Sequence, residues 1–291
     1  MIVPHSAFCT DRMSSLNSFL ENKKRWVSTY GTRPAKLFKD AEQNLAIYIL
    51  SQQKGDAYSG AYTLWSTDYR DCLFQNTCYG PIPDHKLLNT TPKIGDHVSA
   101  GVLAKICKHA ALPVNERGDH QIYYNNTGRY WTRATDFVPH FWNERDGEKQ
   151  STQIKTLAFS NRAHARAVCA LLNSSLFYWW FLLCSDCRHL NMREIENFPF
   201  NPHHVDDTIL AELASTVGDL MTDYRHHAVR KETLYKTTGK VVYDEFHPGH
   251  SKSIMDRIDA ALAKHYRFTE AELDYIINYD IKYRMGRAGD G

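Results

Sequence analysis

The sequence predicts an α/β segment, then a mixed α+β region, then a helical C-terminal region. Three observations predict this order. Apolar runs at 1–8, 26–30 and 45–50 accompany a stretch at about 11–22 in which Met13, Leu16, Phe19 and Leu20 recur at helical spacing, giving the strand–helix–strand pattern of an α/β sheet. Beyond Arg70 the texture changes to short segments broken by Gly and Pro, as in Tyr79-Gly-Pro-Ile-Pro83. From Asp206 onward the pattern is helical. The expected regions are therefore 1–71, 72–205 and 206–291.

In the middle region, Ile122-Tyr-Tyr124 and Arg129-Tyr-Trp-Thr132 flank Asn125-Asn-Thr-Gly128, which reads as a hairpin turn. Residues 161–183 read as a helix running into a buried aromatic segment, Leu176 to Leu183. In the last region one long helix is expected over about 206–235 and a second from Ser253. A third begins at Thr269, whose partner Glu272 completes a Thr-x-x-Glu capping box that satisfies amide donors at a helix start. Between the first two, 240–244 is a short strand or a loop.

Composition sets limits on function. A chain of 291 residues with 43% hydrophobic and 12% aromatic residues can bury one large core or two ordinary ones. The net charge of +2 is too small to argue nucleic-acid binding from totals, so local clustering must carry it. Lys23, Lys24, Arg25, Arg33, Lys36 and Lys39 follow one another with no acid between them, as a solvated face or a DNA-facing one. Seven cysteines without a repeating spacing point to free thiols in a reducing cytoplasm. The most apolar stretch, Leu176 to Leu183, is far shorter than the roughly 18 to 20 residues of a membrane crossing, and no secretory leader is evident, so a cytoplasmic protein without membrane partners is expected.

No self-contained active site emerges. Neither G-x-G-x-x-G nor G-x-x-x-x-G-K-[ST] occurs, and there is no G-x-S-x-G elbow. Cys184 and Cys187 with nearby His189 fall short of a four-ligand zinc set and read as thiols beside an aromatic core, so no metal site is expected. The adjacent pairs His203-His204 and His226-His227 read as surface residues, because neighbours on a helix diverge by about 100°. Pro83-Asp84 and Asp280-Ile-Lys282 lie too far apart in the chain to read as a nuclease motif.

Four stretches carry a resemblance. They are Thr29-Tyr-Gly-Thr-Arg-Pro-Ala-Lys-Leu-Phe38; Leu172-Asn-Ser-Ser-Leu-Phe-Tyr-Trp179; Ser185-Asp-Cys-Arg-His-Leu-Asn191 with Phe198-Pro199; and Ile276-Ile-Asn-Tyr-Asp-Ile-Lys-Tyr-Arg-Met-Gly286. Together they resemble the C-terminal, target-recognition portion of adenine-specific (N6) DNA methyltransferases of type II restriction-modification systems, including fused restriction-methylase enzymes. The resemblance implies a chain that starts at about the fifth strand of a doubly wound sheet and keeps only its last strands. The Gly-rich cradle for S-adenosylmethionine and the Asn/Asp-Pro-Pro-aromatic clamp on the flipped adenine are not in this sequence; Asn201-Pro-His-His204 lacks the second proline and the aromatic. The cofactor is thus expected on a separately encoded methyltransferase catalytic subunit, and double-stranded DNA is the expected partner of this chain.

The resemblance also implies site residues. Phe38 matches a base-stacking aromatic, with core packing as its alternative reading. Region 72–205 corresponds to target recognition. There Tyr123, Tyr124, Arg129, Tyr130, Trp131 and Arg133 interleave cations with aromatics at a turn, and Arg188, His189 and Asn191 sit next to a rigid apolar segment. Arg pairs with guanine O6 and N7, and Lys and Arg neutralise phosphates, so Lys23, Arg25, Arg33 and Lys36 join the candidate DNA-binding set. The alternative for the turn is an amphipathic hairpin. Two other functions stay open: the inactive product of an interrupted methyltransferase gene, whose exposed strand edge would make it poorly soluble, and a protein-interaction module reusing the fold.

Overall fold

In the computed structural model the chain runs β1 (Ile2–Pro4), α1 (Ser14–Leu20), β2 (Lys23–Tyr30), β3 (Leu45–Lys54), β4 (Ala57–Thr63), β5 (Gly80–Pro81), α2 (His97–Ile106), β6 (His120–Asn125), β7 (Ala134–Thr135), β8 (Phe141–Asn143), β9 (Gly147–Glu148) and β10 (Ile154–Phe159). It continues through α3 (Arg162–Asn173), α4 (Ser175–Cys184), α5 (Met192–Glu196), α6 (Asp207–His227), β11 (Val229–Tyr235), β12 (Gly239–Glu245), α7 (Lys252–Tyr266), α8 (Glu270–Asn278) and α9 (Ile281–Arg284). The structure describes residues 1–285 except 22, 84–87, 89, 115, 116 and 129, with the backbone alone of Asp11. The architecture is mixed, with helices beside three sheets among the described residues.

The chain forms two compact units, Met1–Lys108 with Trp179–Asn197, and His109–Tyr178 with Phe198–Gly291. This division differs from the one that composition suggests. The segment after Arg70 still belongs to the first unit because β5 pairs with β4, and residues 179–197 return to that unit late in the chain. The last region is not wholly helical, because β11 and β12 complete a sheet begun by β8 and β9.

The first unit is built on a sheet of order β1-β3-β2-β4-β5. β3 runs antiparallel to both β1 and β2, so those two point the same way with β3 between them, and β2 pairs parallel with β4. The strand–helix–strand reading of the first 30 residues therefore holds in direction, but its two strands are not neighbours. Strand alternation sends side chains to opposite faces. On one face Val27, Ala46 and Tyr48 pack with Phe8 and Leu20; on the other Tyr30 packs with Ala35, Trp65 and Leu73.

The second unit carries a sheet of order β10-β6-β7 and another of order β11-β12-β8-β9, all neighbouring strands antiparallel. A hairpin does follow Asn125, but not through a tight turn at 125–128: β6 pairs with Ala134 and Thr135, so the connection is longer than the sequence suggests. The helix expected over 206–235 ends at His227, and 229–235 forms a strand. Its Arg230 and Lys231 pair with Asp244 and Glu245 of β12, and Glu232 pairs with Lys240. Such cross-strand pairs, with β8 added on the far side of β12, outweigh the helix propensity of the Arg-Lys-Glu run. The hairpin closes at Gly239 in the left-handed region (φ 68), a conformation that side-chain-bearing residues rarely adopt, with the Glu144 carboxylate close by.

Two sequence expectations hold in detail. The helix expected from Ser253 is α7, which begins one residue earlier, and α8 starts with the capping box: Thr269 Oγ1 accepts from Glu272 N–H (3.3 Å) and Glu272 accepts from Thr269 N–H (2.6 Å). The 161–183 helix is broken into α3 and α4, bent by 66° at Ser174. No single helix among the described residues is long and apolar enough to cross a membrane, and α3 and α4 are mostly buried within the protein.

Candidate nucleic-acid interface

Within the second unit, Asn125, Thr127, Tyr130, Trp131 and Arg133, the 151–154 loop and the β11–β12 hairpin line a cleft of about 680 Å³. Its walls combine the rings of Tyr130, Trp131, Phe141, Tyr243 and Phe246 with the polar groups of Asn125, Thr127, Arg133 and Asp244. Three residues singled out by sequence, Tyr130, Trp131 and Arg133, thus converge on one site. Arg129 lies outside the described residues.

Arg133 is the centre of this site. Its guanidinium lies 4.3 Å from the centroid of Phe246 and 5.9 Å from that of Trp131. Aromatic faces hold a guanidinium by its own faces and leave its in-plane N–H groups available. Those N–H groups donate to no side chain or carbonyl among the described residues. Burial lowers the Arg133 pKa to about 10, partly offset by Tyr224 and Asp244, so it stays cationic at neutral pH. The arrangement is a cation fixed in orientation with its donor fork open to the cleft.

The position of Arg133 is set from beneath. The next residue, Ala134, is clamped by buried Asn173 at the end of α3: Ala134 N–H donates to Asn173 Oδ1 (3.2 Å), and Asn173 Nδ2 donates to Ala134 O (2.8 Å). The same amide donates to Cys169 O (2.7 Å) and accepts from Tyr224 Oη (2.9 Å), so its hydrogen-bonding capacity is fully used. Tyr224 meets Trp131 edge to face at 6.0 Å and Phe246 at 5.6 Å. One buried amide therefore ties α3, α6 and β7 to the aromatic cage. Immediately after it, α4 begins with its first amides, Ser175 and Leu176 N–H, donating to the Asp259 carboxylate at 3.1 Å each. A carboxylate at a helix N-terminus is favourable, yet burial pushes the Asp259 pKa up to about 6.

Other predicted residues have different surroundings. Tyr124 is buried in the core; Tyr123 is half-buried and donates to Gln121 Oε1 (2.8 Å), away from the cleft lining. In the first unit, Arg25 turns back to donate to Leu20 O (2.7 Å), Lys23 lies over the Phe19 ring at 5.0 Å, and Lys36 pairs with Glu42. Arg33 is exposed beside its cis bond to Pro34. Phe38 is 50% exposed. Its loop is pinned by Arg70, which donates to Lys36 O (2.7 Å) and Leu37 O (3.3 Å) while lying over Trp65, so the aromatic stands out from an anchored loop.

Arg188 and His189 are exposed on a turn organised by Asp186, whose Oδ1 accepts both of their backbone N–H groups at 2.8 Å. Asn44, at the end of the Phe38 loop, donates to Asp186 O (3.1 Å), which links turn and loop within the first unit. Asn191 serves the fold instead, opening α5, where Glu194 accepts from its N–H (2.9 Å). Sequence reasoning missed Phe246, Asn173 and Asp259. A polar Asn in the apolar run of α3 and α4 was the available signal for the second of these.

Cys184 and Cys187 are buried, and burial pushes the Cys184 thiol well above its ordinary range. Among the described residues no group of His, Cys, Asp and Glu has the arrangement of a metal site. No protein-family model matches the chain, and no curated protein matches it.

Proposed function

We propose that this chain is the DNA-reading part of a site-specific adenine-N6 DNA methyltransferase of a restriction-modification system, acting with a separately encoded catalytic subunit that holds S-adenosylmethionine. The observation that carries the reading is the cleft of the second unit, where Arg133 offers a fixed donor fork among aromatic rings. Cations and flat apolar faces together are the chemistry of nucleic-acid contact. Phe38, exposed on a pinned loop, suits the stacking role that the family resemblance implies better than core packing does.

The partner reading is supported by the outer edge of the first sheet. β1 is an end strand, and Met1, Ile2, Ile49 and Leu50 are exposed at or near that edge. An open edge with apolar flanks is a place where a second polypeptide can extend a sheet. A role in restriction-modification puts the protein with cytoplasmic DNA. The test is methyl transfer from radiolabelled S-adenosylmethionine to duplex DNA. The chain alone should transfer nothing, and transfer should appear when the catalytic subunit is added. Methylated adenine formed by the chain alone would overturn the division of labour.

A further inference from the structure

We infer that the cleft of the second unit seats a single guanine displaced from the duplex stack, with Arg133 on its O6/N7 edge. The inference rests on the DNA-reading proposal and specifies its ligand. Arg133 is recessed and gripped between Phe246 and Trp131, so it cannot swing out to a base edge inside an intact groove. The ligand group must enter the cleft. A phosphate would meet Asp244 and Glu245 on the same lining, which disfavours a second anion. A flat base instead finds the rings of Tyr130, Phe141 and Tyr243 to stack on.

Guanine is the base whose edges match the polar groups. Its O6 and N7 are acceptors for the bidentate Arg fork, and adenine puts an amino donor where guanine has O6. Its N1–H and N2 amino group are donors, and Asp244 supplies an acceptor: one oxygen takes a hydrogen bond from Arg230 (2.6 Å) and the other accepts from no described residue. The cleft of about 680 Å³ is large enough for a nucleoside.

Fluorescence anisotropy with the full chain and short duplexes tests this. One duplex is fully paired, and four carry a single bulged dG, dA, dC or dT. The dG bulge should bind tightest, by about tenfold over the other bulges, the scale of one bidentate contact. Arg133→Lys should level the four, because an ammonium cannot reproduce the fork. Asp244→Asn should weaken the dG bulge selectively, and serves if Arg133→Lys fails to fold. Equal affinities for the four bulges, or a dG preference that survives both substitutions, would overturn the inference and leave DNA reading intact. Absence of binding to any duplex would bring down both.

Discussion

Two turns present arginines, and they are held in opposite ways. In the second unit Arg133 is caged by Phe246 and Trp131, next to Ala134, which is clamped by an amide that is fully buried and fully hydrogen-bonded. In the first unit Arg188 is exposed, on a turn held through the backbone by a half-exposed Asp186. A caged guanidinium has already lost its rotamer entropy and can discriminate between bases, while a free one tracks phosphates wherever they lie. The difference teaches that a run of aromatics and cations in sequence says little until the cage around each cation is known.

The largest effect expected from breaking this contrast is at the clamp. Asn173→Leu strands the Ala134 backbone and the Tyr224 hydroxyl in the core and should cost about 3–5 kcal/mol; a thermal melt reads this directly, and a shift of only a degree or two would show that the clamp is dispensable. Next comes the carboxylate under α4. The Asp259 pKa is raised to about 6, so its contribution to stability is fully present below about pH 4 and lost as pH rises through 6, on the order of 2–3 kcal/mol. Asp280, pushed up to about 7 by burial, acts in the same direction. In denaturant titrations at a series of pH values, Asp259→Asn should flatten this part of the profile.

Smaller effects separate the two arginines themselves. Arg133→Ala should weaken binding of a duplex with one bulged dG by roughly 5- to 100-fold with little change in the salt slope, as expected for a base contact. Arg188→Ala should cost less than about tenfold and reduce the slope of log K against log salt by about 0.9, as expected for one phosphate. An interchange of the two signatures would reverse the assignment. With the catalytic subunit present, Phe38→Ala should lower methyl transfer while DNA affinity changes much less; equal losses in both would return Phe38 to a packing role.

Much of the fold was legible where local chemistry decides it. The Thr269–Glu272 box and the apolar strands within β2 and β3 are written in short patterns that need no distant partner. Strand β11 was not legible, because its Arg-Lys-Glu run favours a helix until β12 and β8 pair beside it, and β8 is nearly 90 residues away. The unit boundaries were hidden for the same reason: 179–197 returns to the first unit after a long excursion. At the site, Tyr130, Trp131 and Arg133 were visible as residue types, but Phe246 comes from over 100 residues downstream, and only folding puts it on Arg133.

The decisive measurement is the affinity of the purified chain for a duplex with one bulged dG, and for its fully paired counterpart, across a salt series, with and without Arg133→Ala. Binding of both duplexes should weaken steeply as salt rises, and the variant should lose affinity for the bulged duplex by the same factor at every salt concentration. Duplex binding that is absent, or bulged-duplex affinities that are equal for the two proteins at all salt concentrations, would contradict this reading.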